Sequence, residues 1–205
     1  LIRRQRQMCI RDRLIIDMVN GFVREGALAD LYIERLIPLQ QRLLEYYSEN
    51  ENKGVAFVKE AHHKGSREFN DFPEHCILGT AEAELVEELK GYEQDAFVYP
   101  KNSTSVMFAT GFMTDLEAMK NLKRVVITGC CTDICVMNAA IPLVNYFNEY
   151  DLNSEVYVPK ELSETYEISD VHEREQYNEM AFSLMSQAGV KTEMPTDLQK
   201  VLVRS

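Results

Sequence analysis

The sequence lacks tryptophan, long apolar runs and an excess of positive charge. Among its 205 residues, 33 acidic side chains outnumber 22 basic ones and give a net charge of -11. Proteins that bind nucleic acids neutralise phosphates with clustered lysine and arginine, so this balance argues against a nucleic-acid partner. No apolar run approaches the roughly 18–20 residues that a membrane-spanning helix needs, which argues against a membrane protein.

The cysteines do not form the pattern of a disulfide framework. Their number is odd, two of them are adjacent and their spacing is irregular: Cys9, Cys76, Cys130, Cys131 and Cys135. Small secreted proteins that depend on disulfides carry even numbers of cysteines at recognisable spacings. We therefore predict a protein of the reducing cytoplasm.

The beginning of the chain differs in charge from the rest. Four arginines make residues 1–12 basic, and an apolar strand pattern starts directly after them. A basic start can belong to a signal peptide, but Asp17 interrupts the only apolar segment that follows. We predict a disordered or non-native extension over residues 1–12 and one folded domain over residues 13–205, a length that suits a single core.

Short apolar runs alternate along the chain with segments of helical periodicity. The predicted strands cover residues 14–16, 55–58, 97–99, 125–129 and 156–158, with a last short one near Val190. The predicted helices cover residues 31–47, 81–90, 114–122, 132–147 and 171–187. This alternation indicates a three-layer α/β/α sandwich, in which helices cover both faces of a mainly parallel sheet. Such sheets bind ligands beyond the carboxyl ends of their strands.

Three reactive side chains follow three of the predicted strands. Asp17 follows the first strand, Lys101 the third, and Cys135 lies in the first turn of the helix after the fourth. Each residue alone has an ordinary explanation, as a helix cap, a solvated lysine or a small core residue. In a parallel sheet, however, all three would meet along one edge.

Together these residue types predict nucleophilic chemistry. A thiol attacks a carbonyl as the thiolate, and a free cysteine with a pKa of ~8.5 is mostly protonated at neutral pH. We expect Lys101 and the helix N-terminus to lower the pKa of Cys135. Asp17 is expected to accept the thiol proton and return it to leaving ammonia. Consecutive backbone N–H groups from Cys131 to Cys135 are candidates for holding the developing oxyanion.

The segments around these residues resemble the isochorismatase-like cysteine hydrolases, the superfamily that contains nicotinamidases. Residues 128–136 resemble the nucleophile loop, residues 14–22 the first strand, residues 100–103 the lysine segment, and residues 72–76 with 79–80 the metal-side loop. The resemblance extends from about residue 13 to the last strand.

This resemblance implies a role for each candidate. Cys135 would be the nucleophile, Asp17 the general base and acid, and Lys101 the electrostatic partner of the thiolate. The peptide bond between Cys130 and Cys131 would be cis, and the N–H groups of Cys131 and Cys135 would form the oxyanion hole.

The resemblance also implies a divalent metal ion beside the thiol. The ligands that match are Glu60, His62, Glu68 and His75, a set that suits Zn²⁺, Fe²⁺ or Mn²⁺. Glu60 replaces the usual aspartate of nicotinamidases, and its extra methylene would move the carboxylate. Adjacent histidines on an extended strand cannot both face one site, so we expect His63 to face solvent.

Phe22 and Phe72 match positions that form the aromatic walls of the substrate pocket in related amidases, where flat substrates would stack. The predicted function is therefore cleavage of the C–N bond of a small, nicotinamide-like amide through a thioester, with release of ammonia. Because tryptophan is common in this pocket and absent here, a carbamoyl, ureido or other small amide stays open as the substrate.

Other functions fit the sequence less well. A non-catalytic scaffold on the same fold would not need the three catalytic positions, which are all present. Isochorismate cleavage is disfavoured because enzymes of that activity generally lack the cysteine. A thiol-redox protein is disfavoured because Cys131 and Cys135 are spaced C-x-x-x-C and not C-x-x-C. A homo-oligomer is compatible with the family, whose members commonly associate.

Overall fold

Six parallel strands form the central sheet of the computed structural model, which describes residues 11–49, 54–119 and 122–203. The strands are β1 (Arg11–Ile16), β2 (Gly54–Glu60), β3 (Phe97–Lys101), β4 (Arg124–Cys130), β5 (Glu155–Tyr157) and β6 (Ser163–Glu164). Their order in the sheet is β3-β2-β1-β4-β5, and β6 pairs with the end of β4. Every strand pair is parallel, which confirms the predicted sheet.

Helices cover both faces of this sheet. They are α1 (Asn20–Val23), α2 (Ile37–Ser48), α3 (Glu87–Lys90), α4 (Phe112–Ala118), α5 (Met137–Glu149), α6 (Arg174–Gln187) and α7 (Thr196–Val203). Alternate residues of β1 point to opposite faces, as the pleat requires. Leu14 and Ile16 pack in the core formed with α4, α5 and α6, whereas Ile15 packs in the core formed with α1, α2 and α3. The predicted three-layer α/β/α architecture is confirmed.

The helix boundaries differ from the prediction where tertiary contacts decide the local structure. The segment predicted as one helix over residues 31–47 divides into a 3-10 helix (Leu31–Leu36) and α2. A proline in the first turn of α2 favours a new helix start there, because proline is tolerated at that position and not in a helix interior. In the segment predicted as a helix over residues 132–147, a π-helical turn (Thr132–Val136) precedes α5.

The predicted helix over residues 81–90 is wrong. Only a short 3-10 helix (Ala81–Ala83) and the single turn of α3 form there. Between them, Leu85 pairs with Val19 in an antiparallel bridge, and the Val86 N–H donates a hydrogen bond to the Met18 carbonyl at 3.0 Å. These contacts keep Leu85 and Val86 extended between the two short helical segments.

Smaller differences concern element ends. Helix α4 begins at Phe112, two residues before the predicted start. The strand predicted near Val190 is reduced to one bridge between Tyr157 and Lys191. Strand β6 and helix α7 were not predicted from the sequence.

Strand β1 begins at Arg11, so the last two residues of the predicted extension belong to the sheet. The remainder of that prediction, residues 1–10, lies outside the described residues. Within the described part of the chain, no helix is long and apolar enough to cross a membrane.

Candidate active site

The carboxyl edge of the sheet brings Asp17, Lys101 and Cys135 together. Lys101 ends β3, and its Nζ lies 2.9 Å from Asp17 Oδ2 and 3.5 Å from Cys135 Sγ. The three residues are at most 4% exposed. The predicted meeting of these side chains is therefore observed, and the lysine ammonium lies between the carboxylate and the thiol.

Asp17 is held by the backbone that follows β1. Its φ is +50°, a left-handed conformation that aspartate adopts more readily than most residues. The Asp17 N–H donates to the Val58 carbonyl at 2.9 Å, and Oδ1 accepts the Glu60 N–H at 2.7 Å. One carboxylate oxygen is thus used to fix the side chain, and the other faces Lys101.

The turn that carries Cys135 starts at the carboxyl end of β4. The peptide bond between Cys130 and Cys131 is cis, as the resemblance implied. The Cys131 carbonyl accepts the N–H groups of Ile134 and Val136, both at 3.1 Å, which closes the π-helical turn. This turn leads directly into α5, so Cys135 lies at the beginning of the helix, as predicted.

Glu60 belongs to the Asp17–Lys101–Cys135 cluster as well as to the metal-side cluster. Its Oε2 forms a very short ion pair with Lys101 Nζ and lies 3.4 Å from Cys135 Sγ. This contact was not predicted from the sequence. It follows from the pairing of β2 with β3, in which Glu60 and Lys101 end neighbouring parallel strands in direct register.

The cluster holds two carboxylates but one lysine, because Lys101 pairs with both Asp17 and Glu60. Burial raises the pKa of Asp17 to about 7, although Lys101 opposes the rise. Burial also acts to raise the pKa of Glu60, but Lys101 and His62 outweigh it and lower that pKa to about 2. Burial disfavours the charged form of Lys101, yet Asp17, Cys135 and Glu60 together raise its pKa. Glu60 is therefore ionised at neutral pH, and Asp17 is close to its titration point.

The expected activation of the thiol by a lowered pKa is wrong for the resting protein. Burial raises the pKa of Cys135 above its ordinary value, and the opposing effect of Lys101 is smaller. Cys135 therefore rests as a thiol, and a nucleophilic role for it would need a base at the moment of attack. The Asp17 carboxylate, with a pKa of about 7, is suited to exchange that proton near neutral pH.

The four predicted metal ligands form one compact cluster. One ligand atom from each lies within 4.8 Å of the others: Glu60, His62, Glu68 and His75. His62 Nε2 lies 2.9 Å from Glu60 Oε1, 3.7 Å from Glu68 Oε1 and 3.2 Å from His75 Nε2.

Hydrogen bonds outside the candidate metal cluster orient both imidazole rings. His62 Nδ1 lies 3.3 Å from Asn102 Oδ1, which also accepts the His63 N–H at 2.9 Å, and His75 Nδ1 lies 2.8 Å from the Pro73 carbonyl. Because these oxygens accept hydrogen bonds, each Nδ1 carries hydrogen, which leaves Nε2 as the nitrogen of each ring that can bind a metal ion. The two Nε2 atoms lie 3.2 Å apart beside the carboxylates of Glu60 and Glu68, a donor set that fits a divalent cation once any proton on Nε2 is displaced. The His63 side chain is exposed, as predicted.

A small cavity opens beside Cys135. The predicted wall residues Phe22 and Phe72 both line it. Further lining residues were not predicted from the sequence: Leu28, Thr104, Ile134 and Tyr166. Tyr166 follows β6, a two-residue strand too short to recognise from periodicity. The walls are mainly apolar and aromatic, whereas Glu60, Glu68 and His75 form a polar side.

Comparison with known proteins identifies relatives of this chain. Nicotinamidase 1 of Arabidopsis thaliana is 30% identical over 139 residues, which are 61% of this chain and 56% of that protein. The chain thus spans just over half the length of that relative. A probable inactive nicotinamidase of the same plant is 28% identical over 141 residues, covering 64% of this chain and 71% of that protein.

Solved structures and a family comparison extend the match to most of the chain. An isochorismatase-like hydrolase from Alkaliphilus metalliredigens has a TM-score of 0.74 at 22% identity, covering 95% of this chain and 98% of that one. A pyrazinamidase of Pyrococcus horikoshii in complex with zinc has a TM-score of 0.71 at 22% identity, covering 90% and 99%. Both support the fold. The Isochorismatase domain family matches residues 13–192. The chain therefore belongs to the isochorismatase family, among the isochorismatase-like cysteine hydrolases.

Proposed function

We propose that this protein hydrolyses the C–N bond of a small, nicotinamide-like amide, with Cys135 as the nucleophile and release of ammonia. The observation that carries the proposal is the contact of Lys101 Nζ with both Cys135 Sγ, at 3.5 Å, and Asp17 Oδ2, at 2.9 Å. A buried cation between a thiol and a carboxylate stabilises the thiolate that forms when the proton moves to the carboxylate.

In the first half of the reaction, Cys135 Sγ attacks the carbonyl carbon of the amide while Asp17 accepts the thiol proton. Negative charge develops on the carbonyl oxygen, and the N–H groups of Cys131 and Cys135 are its proposed donors, each worth about 3–4 kcal/mol. Asp17 then gives its proton to the amide nitrogen, the C–N bond breaks and ammonia leaves. The acyl group remains on Cys135 as a thioester.

In the second half, the Asp17 carboxylate takes a proton from a water molecule as its oxygen attacks the thioester carbonyl. The C–S bond breaks, the carboxylic acid product leaves, and Asp17 returns the proton to the Cys135 sulfur. The same carboxyl group thus serves as base and acid twice, which suits its pKa of about 7. In both halves of the reaction, Lys101 stabilises the negative charge on the Cys135 sulfur.

The residues proposed to hold a divalent ion are Glu60, His62, Glu68 and His75. Their fit is supported by the two facing Nε2 atoms and by the Nδ1 contacts that fix both rings. When bound, such an ion supplies a Lewis-acidic anchor for a lone pair of the substrate. The zinc in the Pyrococcus horikoshii pyrazinamidase supports the same class of metal, without fixing which metal this chain binds.

The cavity favours a flat, uncharged amide. Phe22, Phe72 and Tyr166 provide aromatic surface on which a ring can pack. Among the described residues that line the cavity there is no arginine or lysine, and Glu60 and Glu68 make its polar side acidic. A ureido or carbamoyl compound with its own carboxylate would meet no basic partner there, so the nicotinamide-like class is preferred.

The name of one relative, a probable inactive nicotinamidase, makes a non-catalytic scaffold the second candidate. The complete set of Asp17, Lys101 and Cys135 in contact argues against it.

The proposal is tested by ammonia release from nicotinamide and a panel of uncharged and carboxylate-bearing amides. The native protein, supplied in turn with zinc, iron and manganese, is expected to release ammonia from flat uncharged amides. Cys135→Ala should reduce the rate by about 1,000-fold or more while leaving the fold intact, because the nucleophile acts as a unit with its base. Release only from carboxylate-bearing compounds would overturn the substrate class, and no release from any amide would overturn the amidase proposal in favour of the scaffold.

A further inference from the structure

His172 forms a largely buried hydrogen bond with Asp133, outside the Asp17–Lys101–Cys135 and metal-side clusters. Its Nε2 lies 2.9 Å from Asp133 Oδ2, and its Nδ1 lies 3.0 Å from the Tyr166 carbonyl oxygen. The side chains of His172 and Asp133 are 9% and 8% exposed. Among the described residues, His172 is the only side-chain partner of the Asp133 carboxylate, since Asp133 Oδ1 has no hydrogen bond.

Two tyrosines hold the imidazole ring between them. The ring of Tyr166 stacks on His172 with centroids 4.3 Å apart, and the ring of Tyr177 stacks on it with centroids 3.8 Å apart. The His172 N–H donates to the Ile168 carbonyl at 2.8 Å, and the Ile168 N–H donates back to the His172 carbonyl at 3.0 Å. Ring and backbone are therefore both fixed.

The contact joins two parts of the site that have no covalent connection nearby. Asp133 lies in the same π-helical turn as Cys135, two residues before it. Tyr166 lines the substrate cavity. His172 consequently links the turn of the nucleophile to an aromatic wall of the pocket.

Both ring nitrogens of His172 have a hydrogen-bond partner. The Tyr166 carbonyl only accepts, so Nδ1 donates to it, and Nε2 shares a hydrogen bond with Asp133 Oδ2. The groups that face the ring are Asp133 from the turn, Tyr166 from the segment after β6 and Tyr177 from α6. The two hydrogen bonds and the two stacked rings together fix the orientation of the imidazole.

We propose that His172 is a positioning residue, which through its hydrogen bond to Asp133 ties the turn of Cys135 to the Tyr166 wall. The role rests on the proposed amide hydrolysis. By fixing the turn, this hydrogen bond holds the Cys135 sulfur and the adjacent backbone N–H groups in register with the amide that the wall supports. A misplacement of about 1 Å at this point costs an enzyme about 100-fold in rate.

The kinetic test compares His172→Phe, Asp133→Asn and the double variant with the native protein. Phenylalanine keeps a flat ring between the tyrosines and removes both N–H groups, so the stack is retained while the link to the turn is lost. Each single variant is expected to lose about 10–100-fold, mainly in kcat. The double variant should lose no more rate than the less active of the two single variants, because both changes break the same interaction. Glu155→Gln, which breaks an ion pair with Lys191 at the start of β5, serves as the control and should keep native kinetics.

Two measurements do not need turnover. Nitrogen NMR of labelled protein, with His172 assigned by the signals that disappear in His172→Phe, should show that Asp133→Asn shifts the resonance of His172 Nε2 and that Glu155→Gln does not. The rate of Cys135 alkylation by iodoacetamide should change in His172→Phe and Asp133→Asn alike, and not in Glu155→Gln. A His172 Nε2 resonance that is unaffected by Asp133→Asn, or additive kinetic losses, would overturn the inference. If no amide is hydrolysed but the NMR shift and the shared alkylation effect are found, the proposed function fails and the link between His172 and the turn stands.

Discussion

At the scale of single residues, Glu60 connects the two clusters of the site. Its Oε2 pairs with Lys101, and its Oε1 lies 2.9 Å from His62 Nε2. The two oxygens of this carboxylate thus contact two different partners, and the glutamate side chain reaches one methylene further than aspartate would. The extra methylene that we expected to shift the carboxylate accordingly brings it against Lys101.

Glu60→Gln is expected to weaken metal binding. Glutamine keeps the size of the side chain but removes its negative charge and thereby a metal ligand of high affinity. We expect the dissociation constant for zinc to rise by at least about 10-fold, measured by competition with a chromophoric chelator. Glu87→Gln, at an exposed position of α3, is the matched control. Equal zinc affinity in both variants would show that Glu60 is not a ligand.

Lys101→Met is expected to destabilise the fold strongly. Without the ammonium, two buried carboxylates, Asp17 and Glu60, are left without their cation. Removing one partner of a buried ion pair costs about 3–5 kcal/mol, and denaturant unfolding at neutral pH should detect a loss of this size. Adding Asp17→Asn to the variant should recover part of the loss, because one of the unpaired charges is then removed.

Lys90→Met is the control for this experiment. Lys90 pairs with Glu87 on the surface with its side chain 40% exposed, and its replacement should change the free energy of unfolding little. A Lys101→Met variant that is as stable as Lys90→Met would contradict the buried electrostatic arrangement.

The residue types of the catalytic set were predictable, but their electrostatics were not. Asp17, Lys101 and Cys135 were found because reactive residues at strand ends meet in a parallel sheet. The contact of Glu60 with Lys101 depends on side-chain conformation, which no spacing reveals. The raised pKa of Cys135 depends on burial, which the sequence does not quantify.

At the scale of elements, the end of β4 determines where the nucleophile turn can begin. Gly129 has φ of +114°, and a Cβ built there would lie 2.0 Å from the Ile16 carbonyl oxygen of β1. Gly129 and Ile16 are register partners in the sheet. Only glycine lets the two strands approach in this conformation, immediately before the Cys130–Cys131 peptide.

Gly129→Ala is therefore expected to lose more than about 3 kcal/mol of stability, because backbone strain and a clash with backbone add. Gly79→Ala is the matched control. Gly79 also has a positive φ, of +84°, but no atom lies within 4 Å of the Cβ position, so conformation alone should cost about 1–2 kcal/mol. Chemical unfolding of both variants gives the comparison. Similar losses in the two variants would show that the close approach to β1 is relaxed at little cost.

Elements with strong local patterns were predicted well, and elements made by tertiary contacts were not. The apolar runs of β1, β2 and β4 identified those strands. By contrast, the acidic segment over residues 81–90 has helical composition, yet the pairing of Leu85 with Val19 keeps its middle extended. Strand β6 has only two residues, so it offers no periodicity to recognise.

At the scale of the whole molecule, strand order assembles the site. Strands β3, β2, β1 and β4 are consecutive neighbours, and their carboxyl ends supply Lys101, Glu60, Asp17 and the turn of Cys135 in that order. The sequence predicted that these ends share an edge. It did not predict the order of strands, which depends on long-range pairing, and so it did not predict which side chains touch.

A thioester on Cys135 is the intermediate that defines the proposed reaction, and mass spectrometry can detect it on protein quenched in acid during turnover of nicotinamide or of the best amide in the panel. We expect an acyl adduct on the peptide that contains Cys135, removable by hydroxylamine and absent from Cys135→Ala. An adduct on another side chain, or undiminished ammonia release by Cys135→Ala, would show that the reaction does not pass through this thioester.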